Sequence, residues 1–77
     1  MNAERRKELD KVFGLIEEAK SILENVAGEE QDAFDNLPEG LQQAERGQAM
    51  EEAVSALNDA EGELENALAN IETAKGD

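Results

Sequence analysis

The side chains of this chain that could do chemistry are almost all carboxylates. Twenty acidic residues face 7 basic ones, for a formal net charge of −13, and the chain has no histidine and no cysteine. Histidine is the commonest general base and a frequent metal ligand, and cysteine is the strongest nucleophile among the side chains. A catalytic or metal-binding centre would therefore have to be built from aspartate and glutamate.

The spacing of these acids does not indicate such a centre. Adjacent pairs occur at 17–18, 29–30 and 51–52, but neighbouring residues on a helix do not face each other. A di-iron carboxylate bundle needs Glu-x-x-His segments. An EF-hand needs oxygen ligands at set positions, which the segment 29–40 does not supply. Solvated helix faces explain the acids better, so we expect no metal and no cofactor.

Other kinds of chemistry are equally disfavoured. No phosphate-binding glycine loop is present, and Ser21 and Ser55 have no histidine to activate them. We therefore expect no enzymatic activity. So acidic a surface repels nucleic acids and anionic lipids, and no apolar run is long enough to span a membrane. Direct nucleic-acid or membrane binding is not expected, and the cysteine-free composition is compatible with a cytoplasmic location.

A seven-residue repeat in the second half predicts a long helix with a coiled-coil face. With the positions of each heptad named a to g, position a holds large apolar residues (Met50, Leu57, Leu64, Ile71). Position d holds alanines (Ala53, Ala60, Ala67, Ala74). This regularity is typical of a helix packed along its length against another. The small d residues would let the facing backbone approach closely.

The first half carries a broader apolar face. Position a holds Leu9, Ile16 and Leu23; position d holds Val12, Ala19 and Val26; Phe13 lies at e, and Leu15 and Ile22 lie at g. Two-stranded packing does not need so wide a face. We predict one helix from about residue 3 to about 35, loosened near 28–30, and a second from about 47 to 75.

The segment 36–46 predicts a structured bend between these helices. Asn36 could cap a short helix with Pro38 in its first turn. The resulting fold is a single all-α domain over residues 1–77, an antiparallel helical hairpin. In that arrangement the cationic start of the chain (Arg5, Arg6, Lys7) would lie beside Glu65 and Glu72, giving weak exposed ion pairs.

Small size and the broad face together predict self-association. A chain of this length builds a marginal core by itself, and a dimeric four-helix bundle would cover the remaining apolar surface. The residues expected in the oligomer core are Leu9, Phe13, Ile16, Ile22, Leu23, Met50, Leu57, Leu64 and Ile71. The alternative is a monomer whose apolar stripe is covered only when it meets a target.

Small residues also recur at position f, away from the apolar face. They are Gly14, Ser21 and Gly28 in the first half, and Ser55, Gly62, Ala69 and Gly76 in the second. Glycine inside a helix costs up to about 1 kcal/mol relative to alanine. These positions either let another chain approach closely or reflect a surface that tolerates any residue.

The segment 35-DNLPEGLQQAERGQAMEEAV-54 resembles a signature in small acidic proteins of bacteriophages and prophages. The resemblance lies in Asp-Asn-Leu-Pro-Glu, Leu-Gln, Arg-Gly and Met-Glu, and it covers about a quarter of the chain. Ala44 stands where that pattern has a serine able to cap the second helix. The resemblance implies a viral gene context and a partner among host proteins, including components of antiviral defence.

The leading hypothesis is a non-enzymatic protein that self-associates and binds, and thereby inhibits, a protein of the bacterial host. Candidate contact residues at the bend are Phe34, Leu37, Leu41 and Arg46, although the three apolar ones could equally cap the end of the bundle. Three alternatives stay open. They are an acidic mimic of nucleic acid, an oligomer that traps a nucleotide with its few cations (Arg5, Arg6, Lys7, Lys11, Arg46), and an assembly component of a phage particle.

Overall fold

The computed structural model describes residues 1–76, and all regular elements in that range are helices. Its elements in chain order are α1 (Ala3–Asp35), α2 (Glu39–Gln42) and α3 (Glu45–Lys75). The molecule measures 58 × 14 × 12 Å, so it is long and only two helices wide. The predicted all-α class, with two long helices and a short one between them, is confirmed.

The ends of α1 are set by asparagines. The Asn2 side chain accepts a hydrogen bond from the backbone N–H of Arg5 at 2.8 Å and so caps the first turn. The helix then runs without a break through 28–30, where loosening was expected. Asn36 ends it, and its N–H donates to the Asp32 carbonyl at 3.0 Å. The predicted role of Asn36 as the cap of the short helix is therefore wrong, because Asn36 completes the last turn of α1.

The short helix α2 takes its cap from Pro38 instead. Pro38 has an extended conformation, with φ −56° and ψ 145°, and lies just before the helix rather than in its first turn. Its carbonyl accepts from the N–H groups of Leu41 and Gln42 at 2.8 and 3.1 Å. Proline serves here because the position needs an acceptor and no donor.

The third helix begins two residues earlier than expected, at Glu45. Ala44 precedes it in an extended conformation and supplies no side-chain cap. The backbone alone starts the helix, through the Gln48 N–H and the Ala44 carbonyl at 3.0 Å.

Two ion pairs fix α1 and α3 as antiparallel neighbours. Lys20 Nζ lies 2.8 Å from Glu65 Oε1, and Lys75 pairs with Asp10, so the end of α3 lies beside the start of α1. The expected pairing of Glu65 with the cations at residues 5–7 is wrong, because Glu65 lies beside the middle of α1.

Contact between the two long helices covers only part of the broad apolar face of α1. Positions a and e face α3 and are shielded or half-buried, including Leu9, Phe13, Ile16, Leu23 and Phe34. In the described residues Ala27, at 6% exposure, is the single buried apolar side chain. Along α1 the contact row is a/e, since Val12 and Val26 at position d are exposed.

Candidate interaction surfaces

The bend is held by a close approach of backbone to backbone at Gly47. Gly47 is buried in the first turns of α3. A Cβ placed on it would lie 2.1 Å from the Gln42 carbonyl oxygen and 2.7 Å from the Gln42 Cα. No other residue type fits without moving α2. The requirement for glycine here is therefore steric, since no described residue has a positive φ.

Gln42 ties the bend to the end of α1. Its side-chain amide Nε2 donates to the Phe34 carbonyl at 3.1 Å and to the Leu37 carbonyl at 3.2 Å, in a half-buried position. These carbonyls belong to the last turn of α1 and the segment after it, where the regular hydrogen bonds of the helix have ended. The Phe34 carbonyl also accepts from the Leu37 N–H at 3.0 Å. Sequence reasoning missed this role, because a glutamine in a polar bend carries no signal of which carbonyls it will reach.

The four candidate contact residues of the bend do not share one environment. Phe34 and Leu37 are half-buried, whereas Arg46 is exposed and Leu41 is 47% exposed. The first two are placed to cover the end of the hairpin. Leu41 and Arg46 are accessible to another molecule.

A second accessible surface runs along α1. Val12, Leu15, Ile22 and Val26 are 41 to 65% exposed, and half-buried Ala19 lies between them. All five occupy heptad positions d and g, so they share one side of the helix. We call this row the d/g stripe. It extends about 21 Å along the helix at 1.5 Å per residue.

The predicted oligomer-core residues divide between the two surfaces. Eight of them lie shielded or half-buried along the contact between α1 and α3, namely Leu9, Phe13, Ile16, Leu23, Met50, Leu57, Leu64 and Ile71. The ninth, Ile22, is in the d/g stripe. The stripe also contains Val12, Leu15 and Val26, which the predicted core did not include.

Charged residues occupy the opposite side of the hairpin. Lys20 Nζ bonds Glu65, and the ammonium of Lys75 lies 5.5 Å from the centre of the Phe13 ring. These residues are at positions b and e, across the α1–α3 contact from the d/g stripe. One side of the hairpin thus carries the paired charges, and the other carries the open d/g stripe of α1 beside position g of α3.

Hydrogen bonding shifts the titration of these pairs. The bond from Lys20 holds the pKa of Glu65 below its ordinary value of 4.5. The same bond raises the pKa of Lys20 above 10.5. The hydrogen bond to Asp10 likewise raises the pKa of Lys75. All are surface pairs, so they set the register of the helices more than they stabilise the fold.

Neither the charged side nor the position-f row forms a chemical centre. A shallow open groove lies on the charged side, lined by Glu24, Gln31, Asn58 and Glu61 among others. Across residues 1–76 no group of acids is arranged to hold a metal ion. Gly14, Gly28 and Gly62 face open space, where a Cβ would meet no side chain and no other element within 4 Å.

None of the helices in the described part of the chain is both long and apolar enough to cross a bilayer.

Comparison of the chain with protein-family models, curated proteins and solved structures finds no match in any of the three. The resemblance of residues 35–54 to small acidic phage proteins therefore stays a prediction.

Proposed function

We propose that this protein is a non-enzymatic interaction module that associates with itself and binds a protein of a bacterial host, in the host cytoplasm, as an inhibitor. The observation that carries the proposal is the division of apolar surface. Helix α1 has one apolar row against α3 and a second row, the d/g stripe, which no other element among residues 1–76 covers. Monomeric proteins seldom expose such a continuous row without a binding role.

The area of the exposed surface supports self-association. The chain exposes 5516 Å². A compact monomer of 8.4 kDa would expose about 4,600 Å². The excess, about 900 Å², is close to the roughly 800 Å² that each partner buries in a standard protein–protein interface.

A second surface is available for the host protein at the bend. Leu41 and Arg46 are accessible, and the backbone that presents them is held by the Gly47 contact and the Gln42 hydrogen bonds. A rigid platform limits the entropy lost on binding, and arginine beside an apolar side chain is common in interface hot spots. The acidic surface would steer the protein toward a basic partner.

An affinity capture from bacterial lysate tests the binding half of the proposal. We expect the double variant Leu41→Ala/Arg46→Ala to lose a captured protein that the wild type retains, with unchanged melting temperature. Lys11→Ala is the matched control, because it removes an exposed cation far from the bend. If the double variant captures the same protein as the wild type, the bend has a structural role only.

Salt dependence separates this proposal from nucleic-acid mimicry, which the charge of −13 also favours. A mimic would occupy a basic channel, compete with DNA or RNA, and lose affinity steeply as salt rises. Binding through Leu41 and Arg46 would persist from 50 to about 200 mM NaCl, because part of it is apolar. Competition by a DNA duplex together with a steep salt slope would favour the mimic.

A further inference from the structure

The open d/g stripe on α1 has a composition that reads almost the same in both directions. Its order is Val12, Leu15, Ala19, Ile22, Val26, with the small residue in the middle and β-branched valines at both ends. A two-fold symmetric interface requires a patch that complements itself when rotated. In an antiparallel pair of α1 helices this stripe meets that condition.

We propose that a second copy of this chain covers the stripe, with α1 antiparallel to α1 of the copy and the two-fold axis passing beside Ala19. Val12 then packs against Val26 of the copy, and Leu15 against Ile22. The small Ala19 on the axis lets the two backbones approach there. This inference rests on the self-association proposed above and specifies its geometry.

Helical geometry places the stripe correctly for a four-helix bundle. Each residue advances about 100° around a helix of 3.6 residues per turn. The a/e row that faces α3 and the d/g row that faces solvent are therefore centred about 110° apart. A corner helix of a bundle needs two contact faces at roughly a right angle, and α1 has them.

The competing arrangement, with α1 over α3 of the copy, is disfavoured by two polar residues. The ion pairs place Lys20 level with Glu65 and Asp10 level with Lys75. By the same alignment Ile22 is level with Glu63, and Leu15 is level with Asn70. Glu63 and Asn70 occupy position g of α3. Stacking α1 on α3 of a second copy would therefore bury the Glu63 carboxylate against Ile22, which is costly.

The proposed two-fold axis places Glu63 and Asn70 of α3 where they can pair with each other between copies. With α1 on α1 of the copy, α3 lies on α3 of the copy, centred near Ala67. Glu63 is then level with Asn70 of the second copy, whose amide can donate to the carboxylate. The alanines Ala60, Ala67 and Ala74 face their counterparts with no bulky side chain between them.

Cysteine cross-linking tests the axis directly, because the chain has no cysteine of its own. A residue beside a two-fold axis meets its own copy, so Ala19→Cys should form a disulfide-linked dimer under mild oxidation. Ser21→Cys is the matched control. It is exposed on the same helix at position f, away from the stripe, and should stay monomeric on a non-reducing gel.

Sedimentation analysis provides the second readout. Wild type should have twice the chain mass of 8.4 kDa, and Leu15→Glu/Ile22→Glu should have the monomer mass with unchanged helicity. Ser21→Glu carries an added charge on the outer face and should remain dimeric. Because Leu15 and Ile22 are exposed within one chain, the double variant should still fold.

The outcomes separate the two levels of the proposal. A monomer mass for the wild type at all concentrations would overturn self-association itself. A dimer in which Ala19→Cys does not cross-link would overturn only the axis. Cross-links between Ala19→Cys chains and Ala67→Cys chains in a mixed sample would place α1 on α3 of the copy instead.

Discussion

Gly47 and Gly14 are glycines inside helices with opposite surroundings. At Gly47 a Cβ would overlap the backbone of Gln42, whereas at Gly14 it would point into open space. The cost of a side chain is thus decided by packing at one position and by helix propensity at the other. The sequence shows six glycines but does not distinguish these two roles.

Replacing each glycine by alanine should change stability in opposite directions. Gly47→Ala forces α2 away from α3, and we expect the melting temperature to fall by about 5–15 °C, as for an overpacked site in a domain of this size. Gly14→Ala should raise it by a few degrees, because alanine favours the helix by up to about 1 kcal/mol. Thermal unfolding followed by circular dichroism, at one protein concentration, measures both.

The same substitutions decide whether the position-f row is an interface. If Gly14→Ala and Gly62→Ala both raise the melting temperature and leave partner capture intact, the row is a tolerant surface. Loss of capture in these stabilised variants would show that another chain packs closely there.

The Lys20–Glu65 pair should make a pH-dependent contribution to stability. Because the pKa of Glu65 is lower in the folded chain than its ordinary value of 4.5, the contribution is present above that value. It is lost as the pH falls through the lowered pKa. Glu65→Gln should therefore lower the melting temperature slightly at pH 7 and have less effect in acid.

A pH series of melting temperatures checks this expectation. Glu52→Gln, an exposed carboxylate of the same helix, is the control for the general effect of removing negative charge. A difference between Glu65→Gln and wild type that stays constant from pH 7 down to the acid range would contradict the assigned role of the pair.

At the scale of the helices, heptad patterning predicts the two long elements well and their mutual contact less well. On α3, large residues at position a alternate regularly with alanines at position d, so only one side of the helix is suited to pack against α1. On α1, however, positions a, d and g are apolar in the central turns and position e is apolar except at Lys20, so the pattern alone does not say which side meets α3. The large rings of Phe13 and Phe34 at position e lie on the side that does.

The bend is the part that sequence predicts least. Asn36 is predicted to cap α2 and Pro38 to lie in its first turn, but Asn36 ends α1 and Pro38 takes the cap position, since α1 continues to Asp35 and α2 starts only at Glu39. Gln42 and Gly47 hold the bend through contacts between residues five to eight positions apart in the sequence. Such contacts depend on how two helices meet, which no local pattern encodes.

Gln42→Leu should weaken the bend without removing the helices. The substitution deletes two hydrogen bonds to the carbonyls of Phe34 and Leu37 in a half-buried place, each worth about 0.5–1.5 kcal/mol. We expect a decrease of several degrees in melting temperature. Gln43→Leu, at an exposed neighbouring position, should change the melting temperature little, and equal effects of the two would contradict the role given to Gln42.

For the whole molecule, the large negative charge opposes self-association and the open d/g stripe favours it. Each copy carries −13, so two copies repel one another, while burial of the d/g stripe draws them together. Salt screens the repulsion and leaves the apolar term intact. Association should therefore tighten as salt rises.

Sedimentation equilibrium at about 20 and 500 mM NaCl measures this effect. We expect the dimer dissociation constant to fall with salt. Weaker association at high salt would mean that ion pairs between copies, rather than the stripe, hold them together.

The two residues that are buried in the described chain, Ala27 and Gly47, both lie in the half of the hairpin nearer the bend. Contacts there also close the shortest loops, which cost the least entropy. Folding can thus begin at the bend and extend along both helices toward the chain ends. In native-state hydrogen exchange, amides beside the bend should be the last to exchange, and protection should decline along both helices toward Ala3 and Lys75.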